Sequence, residues 1–328
     1  MRTISTSSIQ KGALVAAVGL LVSACSDNDP AGPRDGTEAP APQLVINGVD
    51  DSDHSAAAAI MVYDPTHPEK PGWRSFCSGA LIHERVLQTA GHCIQLMQAQ
   101  LAAGIIKAAW VSLQQDPDAH FSADPAVEDP AGGGWYEIES LHNNPDNVDF
   151  VELMRAPPDE VLAVWGKFHD SGAIVLKQAV EGIKPMKMAS KAPGEVDKLI
   201  AKAGCDAADP TACGLLIVTY GLAEFPVVTI PPVQVRRSAL LRYKGIDPLF
   251  VSTFDDPPGS TFGANCFGDS GAPVVLQKKN GKDRTIVAIS SSPANPFGFP
   301  CSTGGLHYRV DTESHIEFIN GVIGSLSD

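Results

Sequence analysis

The sequence predicts an all-β protein, a barrel or a sandwich, closed by a C-terminal helix. Short apolar runs recur along the chain, each bounded by Gly, Pro, Asn or Asp. Gly (30) and Pro (26) are frequent among the 328 residues and punctuate strands rather than long helices. Helical spacing is confined to a few short stretches. In order, strands are expected at 60–63, 79–82, 86–89, 109–113, 135–141, 173–176, 215–220, 233–241, 272–276 and 285–290, all apolar runs between turn signals. Residues 93–107 have helical spacing for one or two turns, and 152–164 reads as a second helix. Residues 314–323 place Ile316, Ile319 and Ile323 on one face, which suits a closing helix. There is no internal repeat.

Composition bounds the function classes. An apolar fraction of 44% supports a substantial core, and the net charge of −14 repels phosphate backbones, so nucleic acid is excluded as a partner. Arg2 and Lys11 precede an apolar stretch at 12–22 that falls short of the roughly 20 residues a membrane-spanning helix needs. It ends in Leu21-Val22-Ser23-Ala24-Cys25, which resembles a bacterial lipobox. That resemblance implies removal of 1–24 and lipid attachment at Cys25, and Ser26 in the next position resembles outer-membrane sorting. Residues 25–43, rich in Asp, Pro, Ala and Gly, read as a flexible tether, and 44–328 as the folded domain. The expected location is the periplasmic or cell-surface side of the outer membrane, with membrane contact only through the lipid.

Seven cysteines fit export. With Cys25 set aside, Cys77, Cys93, Cys205, Cys213, Cys266 and Cys301 form an even set, read as three bridges whose pairing the count leaves open. There is no CxxC and no HExxH, and Asp146 and Asp149 read as solvated loop acids, so no metal and no cofactor is implied.

Three fragments carry the chemistry: Thr89-Ala90-Gly91-His92-Cys93, then His169-Asp170 ahead of an apolar run, then Gly268-Asp269-Ser270-Gly271. A serine hydroxyl is a weak nucleophile at neutral pH. It needs an imidazole to take its proton and a fixed acid behind that imidazole. The chain order His, Asp, Ser separates this set from two other arrangements of the same groups, and the serine does not sit in a GxSxG elbow.

Cys77 lies 16 residues before Cys93, with Ser78-Gly79-Ala80-Leu81-Ile82 following the first and Ala90-Gly91-His92 preceding the second. Cys266 stands four residues ahead of Ser270. On these residues the chain, from about Val45 to its end, resembles the trypsin/chymotrypsin family of serine proteases. The resemblance implies two six-stranded antiparallel Greek-key barrels with the active site between them and a C-terminal helix. It implies His92 as base, Asp170 as buried acid and Ser270 as nucleophile, with an oxyanion hole from the N–H groups of Gly268 and Ser270. Rival acids Asp146 and Asp149 are followed by no strand. It further implies bridges Cys77–Cys93 and Cys266–Cys301, with Cys205–Cys213 left over.

The same resemblance sets the specificity pocket. Ala264 becomes its floor, Gly304 and Gly305 the far wall, and Ile289-Ser290-Ser291-Ser292 the rim, in a register fixed only to within one residue. Ser290 is expected to hydrogen-bond Asp170, with Ser292 on the rim, and Phe267 adds apolar surface at the mouth. A small, uncharged pocket implies an uncharged, apolar or small residue at P1, the residue whose carbonyl is attacked. Val45-Ile46-Asn47-Gly48 resembles an activation terminus whose amine would pair with Asp269, yet Leu44 precedes it rather than Arg or Lys. Cleavage there, which would also free the domain from its lipid, and local hydrogen bonds to Asp269 are the two ways to satisfy that acid. About 77 residues separate His92 from Asp170, and the excess is assigned to surface loops at 115–134 and 149–164. The expected protein is a monomeric endopeptidase acting on protein or peptide substrates. An inactive binding protein on the same fold, and an esterase with the same triad, are the alternatives.

Overall fold

The computed structural model describes residues 47–66, 72–117, 134–209, 212–221, 235–256, 260–266, 268–277, 284–294 and 304–327. The chain enters through β1 (Val49–Asp50), then runs β2 (Ala57–Asp64), β3 (Gly72–His83), β4 (Val86–Thr89), α1 (Gly91–Ala103), β5 (Ala108–Ser112) and β6 (Trp135–Asn143). Two short helices follow, α2 (Phe150–Leu153) and α3 (Pro158–Val164), then β7 (Gly172–Leu176). Strands β2-β3-β4-β7-β6-β5 close into an antiparallel barrel. The second half comprises β8 (Lys187–Met188), α4 (Glu195–Ala203), β9 (Gly214–Thr219), β10 (Arg237–Ile246), β11 (Phe250–Phe254), β12 (Pro273–Gln277), β13 (Arg284–Pro293), β14 (Gly305–Arg309) and α5 (Glu313–Gly324). Here β9-β10-β11-β14-β13-β12 closes because β9 pairs with both β10 and β12. The expected pair of six-stranded barrels with a C-terminal helix is therefore present.

Each barrel buries its own apolar core. Ile60, Leu81, Leu87, Val111, Ile174 and Leu176 fill the first, and Leu215, Ile217, Val274, Val287, Phe250 and Tyr308 the second. Strand β7 is buried at every position because both faces are covered. Ile174 and Leu176 point into the barrel, while Ala173 and Val175 pack with Val86 against Ile319 and Val322 of α5. Helix α5 starts where the Thr312 side chain accepts from His315 N at 3.2 Å. The expected helix at 93–107 is α1, which stops at Gly104 in the left-handed conformation (φ 69°). The expected helix at 152–164 is two, split at Ala156-Pro157-Pro158. Strands β1, β8, β11 and β14 and helix α4 were not expected.

The barrels are joined by a buried guanidinium. Arg236 donates to the backbone oxygens of Asp51 (3.0 Å) and Leu113 (3.1 Å) and to the Tyr220 hydroxyl (3.2 Å). Leu113 follows β5 of the first barrel and Tyr220 follows β9 of the second. Among the described residues no helix is long and apolar enough to cross a membrane. Replacing Arg236 by Met strands several buried acceptors at once. The expected cost is about 3 kcal/mol of unfolding free energy in urea titration, and a loss under ~0.5 kcal/mol would contradict the bracing role.

Candidate active site

His92 is the second residue of α1, set there by a glycine. Gly91 lies so close to the loop after β6 that a Cβ on it would come 2.4 Å from Asn147 Nδ2 and 2.6 Å from Asn143 Oδ1. The disulfide Cys77–Cys93 ties β3 to the same turn. Asp170 is fully buried between the end of α3 and β7. Its Oδ1 accepts the backbone N–H of His92 at 2.8 Å, and its Oδ2 meets His92 Nδ1 at 2.7 Å and accepts Ser291 Oγ at 2.5 Å. Burial alone would raise this carboxyl, but the His92 charge and these donors outweigh it, so its pKa lies below the ordinary value. The carboxylate is thus ionised and holds the imidazole with its Nδ1 proton toward Asp170. Nε2 lies 3.7 Å from Cys93 Sγ, and the Phe150 ring covers the imidazole at 5.1 Å between centroids. Asp149, weighed as a rival acid, instead caps α2 by accepting Glu152 N.

The loop carrying Asp170 is itself pinned. His169 Nδ1 meets Tyr308 Oη at 2.9 Å, and Ser171 Oγ meets His315 Nδ1 of α5 at 2.9 Å. Burial lowers the pKa of His315 to about 3, so this contact is between neutral groups.

The expected Ser290–Asp170 bond is a correction. Strand β13 carries a bulge in which Ser290 pairs with His307 and Ser292 with Leu306, leaving Ser291 as the extra residue. The bulge turns Ser291 toward Asp170. Ser290 donates instead to Asn265 Oδ1 at 2.7 Å.

Ser270 reaches this end of the seam through its backbone. Ser78 N donates to Ser270 O at 2.8 Å, and Gly271 N donates to Ser290 O at 2.7 Å. Gly271 (φ 82°) presses against the end of β4, where a Cβ would lie 2.1 Å from Thr89 Oγ1, 2.2 Å from Ser78 O and 3.0 Å from Ala90 N. Gly271, the residue after Ser270, therefore sits between Ser290, next to the residue that holds Asp170, and Ala90, two positions before His92. Gly268 also takes a positive φ, 85°. Among the described residues, the N–H groups of Gly268 and Ser270 have no backbone acceptor.

Asp269 between them is fully buried. Thr219 Oγ1 donates to its Oδ1 at 2.8 Å and Cys266 N to its Oδ2 at 2.6 Å, and a Cβ on Gly221 would overlap Oδ1. Desolvation pushes its pKa up to about 7, only partly offset by these two donors, with nearby Asp255 adding to the rise. Ser78 Oγ completes the hub: it donates to Gly268 O at 2.9 Å, accepts Tyr220 N at 3.0 Å and touches Thr219 Oγ1 at 3.0 Å. Of the two ways to satisfy Asp269, local hydrogen bonds are present. Val45, the other candidate partner, lies outside the described residues, as do Cys25, Cys301 and Phe267.

Around the expected pocket, Ala264 is fully buried and Ser292 nearly so. Gly305 pairs with Thr253 and Pro293, and Gly304 has φ 84°. A Cβ on Gly305 would lie 2.7 Å from Nε2 of His307, whose pKa burial lowers to about 3. The sequence reading missed Asp255, which accepts Asn265 N at 3.2 Å and Gly304 N at 2.6 Å and so ties the two walls together. It also missed Ser78 and Thr219, which carry no spacing signal. Cys205–Cys213 is bridged, and Cys266 is bridged to a partner outside the described residues, where the expected Cys266–Cys301 pair falls. The cluster Cys77, His92 and Cys93 has metal-like proximity, but its sulfurs are bonded to each other.

Comparison of the sequence with protein-family models and with curated proteins returned no match.

The raised pKa of Asp269 sets the sign of a pH effect. The folded state holds a proton here that the unfolded chain releases near 3.8. The contribution to stability is therefore complete below about 3.8 and is lost as pH rises through about 7. Asp269→Asn should remove this dependence: wild-type stability relative to the variant should fall between pH 4 and 7. A flat difference across that window would show that the group does not titrate there.

Proposed function

We propose that the chain is a serine endopeptidase in which Ser270 is the nucleophile, His92 the base and Asp170 the orienting acid. The single observation carrying this reading is the buried His92–Asp170 pair, closed by Ser291 and lying beside the Gly268–Gly271 loop. In the reaction, His92 Nε2 takes the Ser270 hydroxyl proton as Oγ attacks the scissile carbonyl. The proton passes to the leaving amine, and a water then attacks the acyl-enzyme with His92 again as base. Asp170 remains ionised throughout and stabilises the charged imidazole. The amides of Gly268 and Ser270 would receive the developing oxyanion, each donor contributing about 3 kcal/mol.

The double-barrel fold supports this class over an unrelated esterase, whose serine would sit on a strand-to-helix elbow. Complete partnering of Asp170 supports an active enzyme over a binding protein, which would gain nothing from the buried charge. The pocket reading follows from Ala264 at the floor and from Asp255, both of whose oxygens are engaged by backbone amides. P1 is then an uncharged residue such as Phe, Leu or Ala. The two bridges suit an oxidising compartment, in keeping with an exported, lipid-attached precursor modified at Cys25.

A serine-reactive phosphonate should label wild-type protein at Ser270, as read by peptide mapping, and should fail on His92→Ala. Labelling that is indifferent to His92 would reject the triad. Casein should be cut well above any short-chain ester, and the reverse preference would favour the esterase. In a peptide library scanned at P1, cleavage should follow Phe, Leu or Ala, and dominant cleavage after Arg would overturn the pocket reading.

A further inference from the structure

An extended peptide commonly binds a β-protein by adding itself to a free strand edge, drawing affinity from main-chain hydrogen bonds. In this molecule the edge beside the candidate site is the end of β13. Its pairing with β12 stops at Ile289, and among the described residues only β14 accompanies it from Ser290 to Pro293. The N–H and C=O of Ser290 are already used by Ala272 and Gly271. Beyond Ser291 the edge ends in Pro293, which has no N–H to donate. The Pro293 carbonyl is also taken, accepting Trp165 Nε1 at 3.2 Å.

Trp165 belongs to the segment between His92 and Asp170, and that segment is a built unit. Leu153, Val161 and Phe168 form a small buried core with Val148, Ala156, Val164 and Trp165 around it. Gln95, one turn past His92 on α1, clamps its start: Gln95 Nε2 donates to Val148 O at 2.7 Å, and Phe150 N donates to Gln95 Oε1 at 2.7 Å. At its far end the Trp165 ring meets Phe168 edge-on at 5.5 Å, and Phe168 meets Phe250 of β11 at 6.4 Å. The segment therefore runs from the His92 helix, across the imidazole through Phe150, to the second barrel, and ends on the β13 edge.

We propose that Trp165 caps the substrate-binding edge of β13, so that peptides are recognised through the residues next to the scissile bond and gain nothing from residues further N-terminal. The proposal rests on the protease reading above. It makes Trp165 a specificity-determining residue and the inserted segment a limiter of substrate length.

The test uses the full chain and a nested set of amide substrates with the same P1 residue and two or four residues N-terminal to the cleaved bond. For wild-type protein, kcat/KM should change less than about threefold from the shorter to the longer. In Trp165→Ala the ratio of long to short should rise about tenfold, the worth of one recovered main-chain hydrogen bond to the Pro293 carbonyl. Trp165→Phe keeps a ring for the small core but cannot donate to Pro293 O, and should raise the ratio at least about threefold. A wild-type ratio already near ten, or variants with the wild-type ratio, would overturn the proposal. Phosphonate labelling of Ser270 in the same samples separates the two readings. Steep length dependence with labelling rejects only the edge cap, whereas no cleavage and no labelling rejects the protease itself.

Discussion

The arrangement depends on one constraint: a fully buried carboxylate, Asp170, must be surrounded by donors. A carboxylate without partners in this environment would take up a proton instead. Three donors meet it, two from His92 at the start of α1 and one from Ser291 in the β13 bulge. The His92 donors exist because α1 begins at a glycine that lets the helix press against the β6 loop. The Ser291 donor exists because β13 bulges. The acid's own loop is held from both sides, by Tyr308 of β14 and His315 of α5. Each neighbouring element thus has a local reason to sit where it does, and together they fix the imidazole by its Nδ1 edge.

A second buried acid does comparable work for the loop that carries Ser270. Asp269 is tied to the second barrel through Thr219 and Cys266, while Ser78 of the first barrel reaches across to Gly268. The loop carrying Ser270 is therefore braced by both barrels. Asp269 is met by one hydroxyl and one backbone amide, with no cation among the contacts described, which is why it is easier to protonate than Asp170. The two acids have pKa values displaced in opposite directions, the ionised one paired with His92 and the other within the loop that carries Ser270.

Much of this was legible in the sequence. The ten expected strands overlap observed ones, because apolar runs between Gly and Pro are what barrel strands look like. His92 and Asp170 were found because their surroundings are distinctive in sequence: a Cys-bounded loop and an acid ahead of an apolar run. Three of the four strands that were missed, all but β11, are of two kinds. Strands β1 and β8 are two-residue pairings with no pattern of their own, and β14, Gly-Leu-His-Tyr-Arg, reads as polar until His307 is seen to be buried and neutral. The one-residue error at Ser290 has a geometric cause: a bulge breaks the two-residue alternation, and a run of three serines gives no sign of where. Ser78, Thr219 and Trp165 matter through contacts at separations of more than 100 residues, which spacing along the chain does not encode.

In the proposed triad the Asp170 carboxylate holds His92 in the tautomer that would activate Ser270. Asp170→Asn keeps the size of the side chain and most of its hydrogen bonding but favours the wrong tautomer. Its kcat on a short amide substrate at neutral pH is the most direct measurement. A fall of about 10⁴-fold with the melting temperature little changed is the predicted result. A variant that turns over at a rate within about tenfold of wild type would contradict the account.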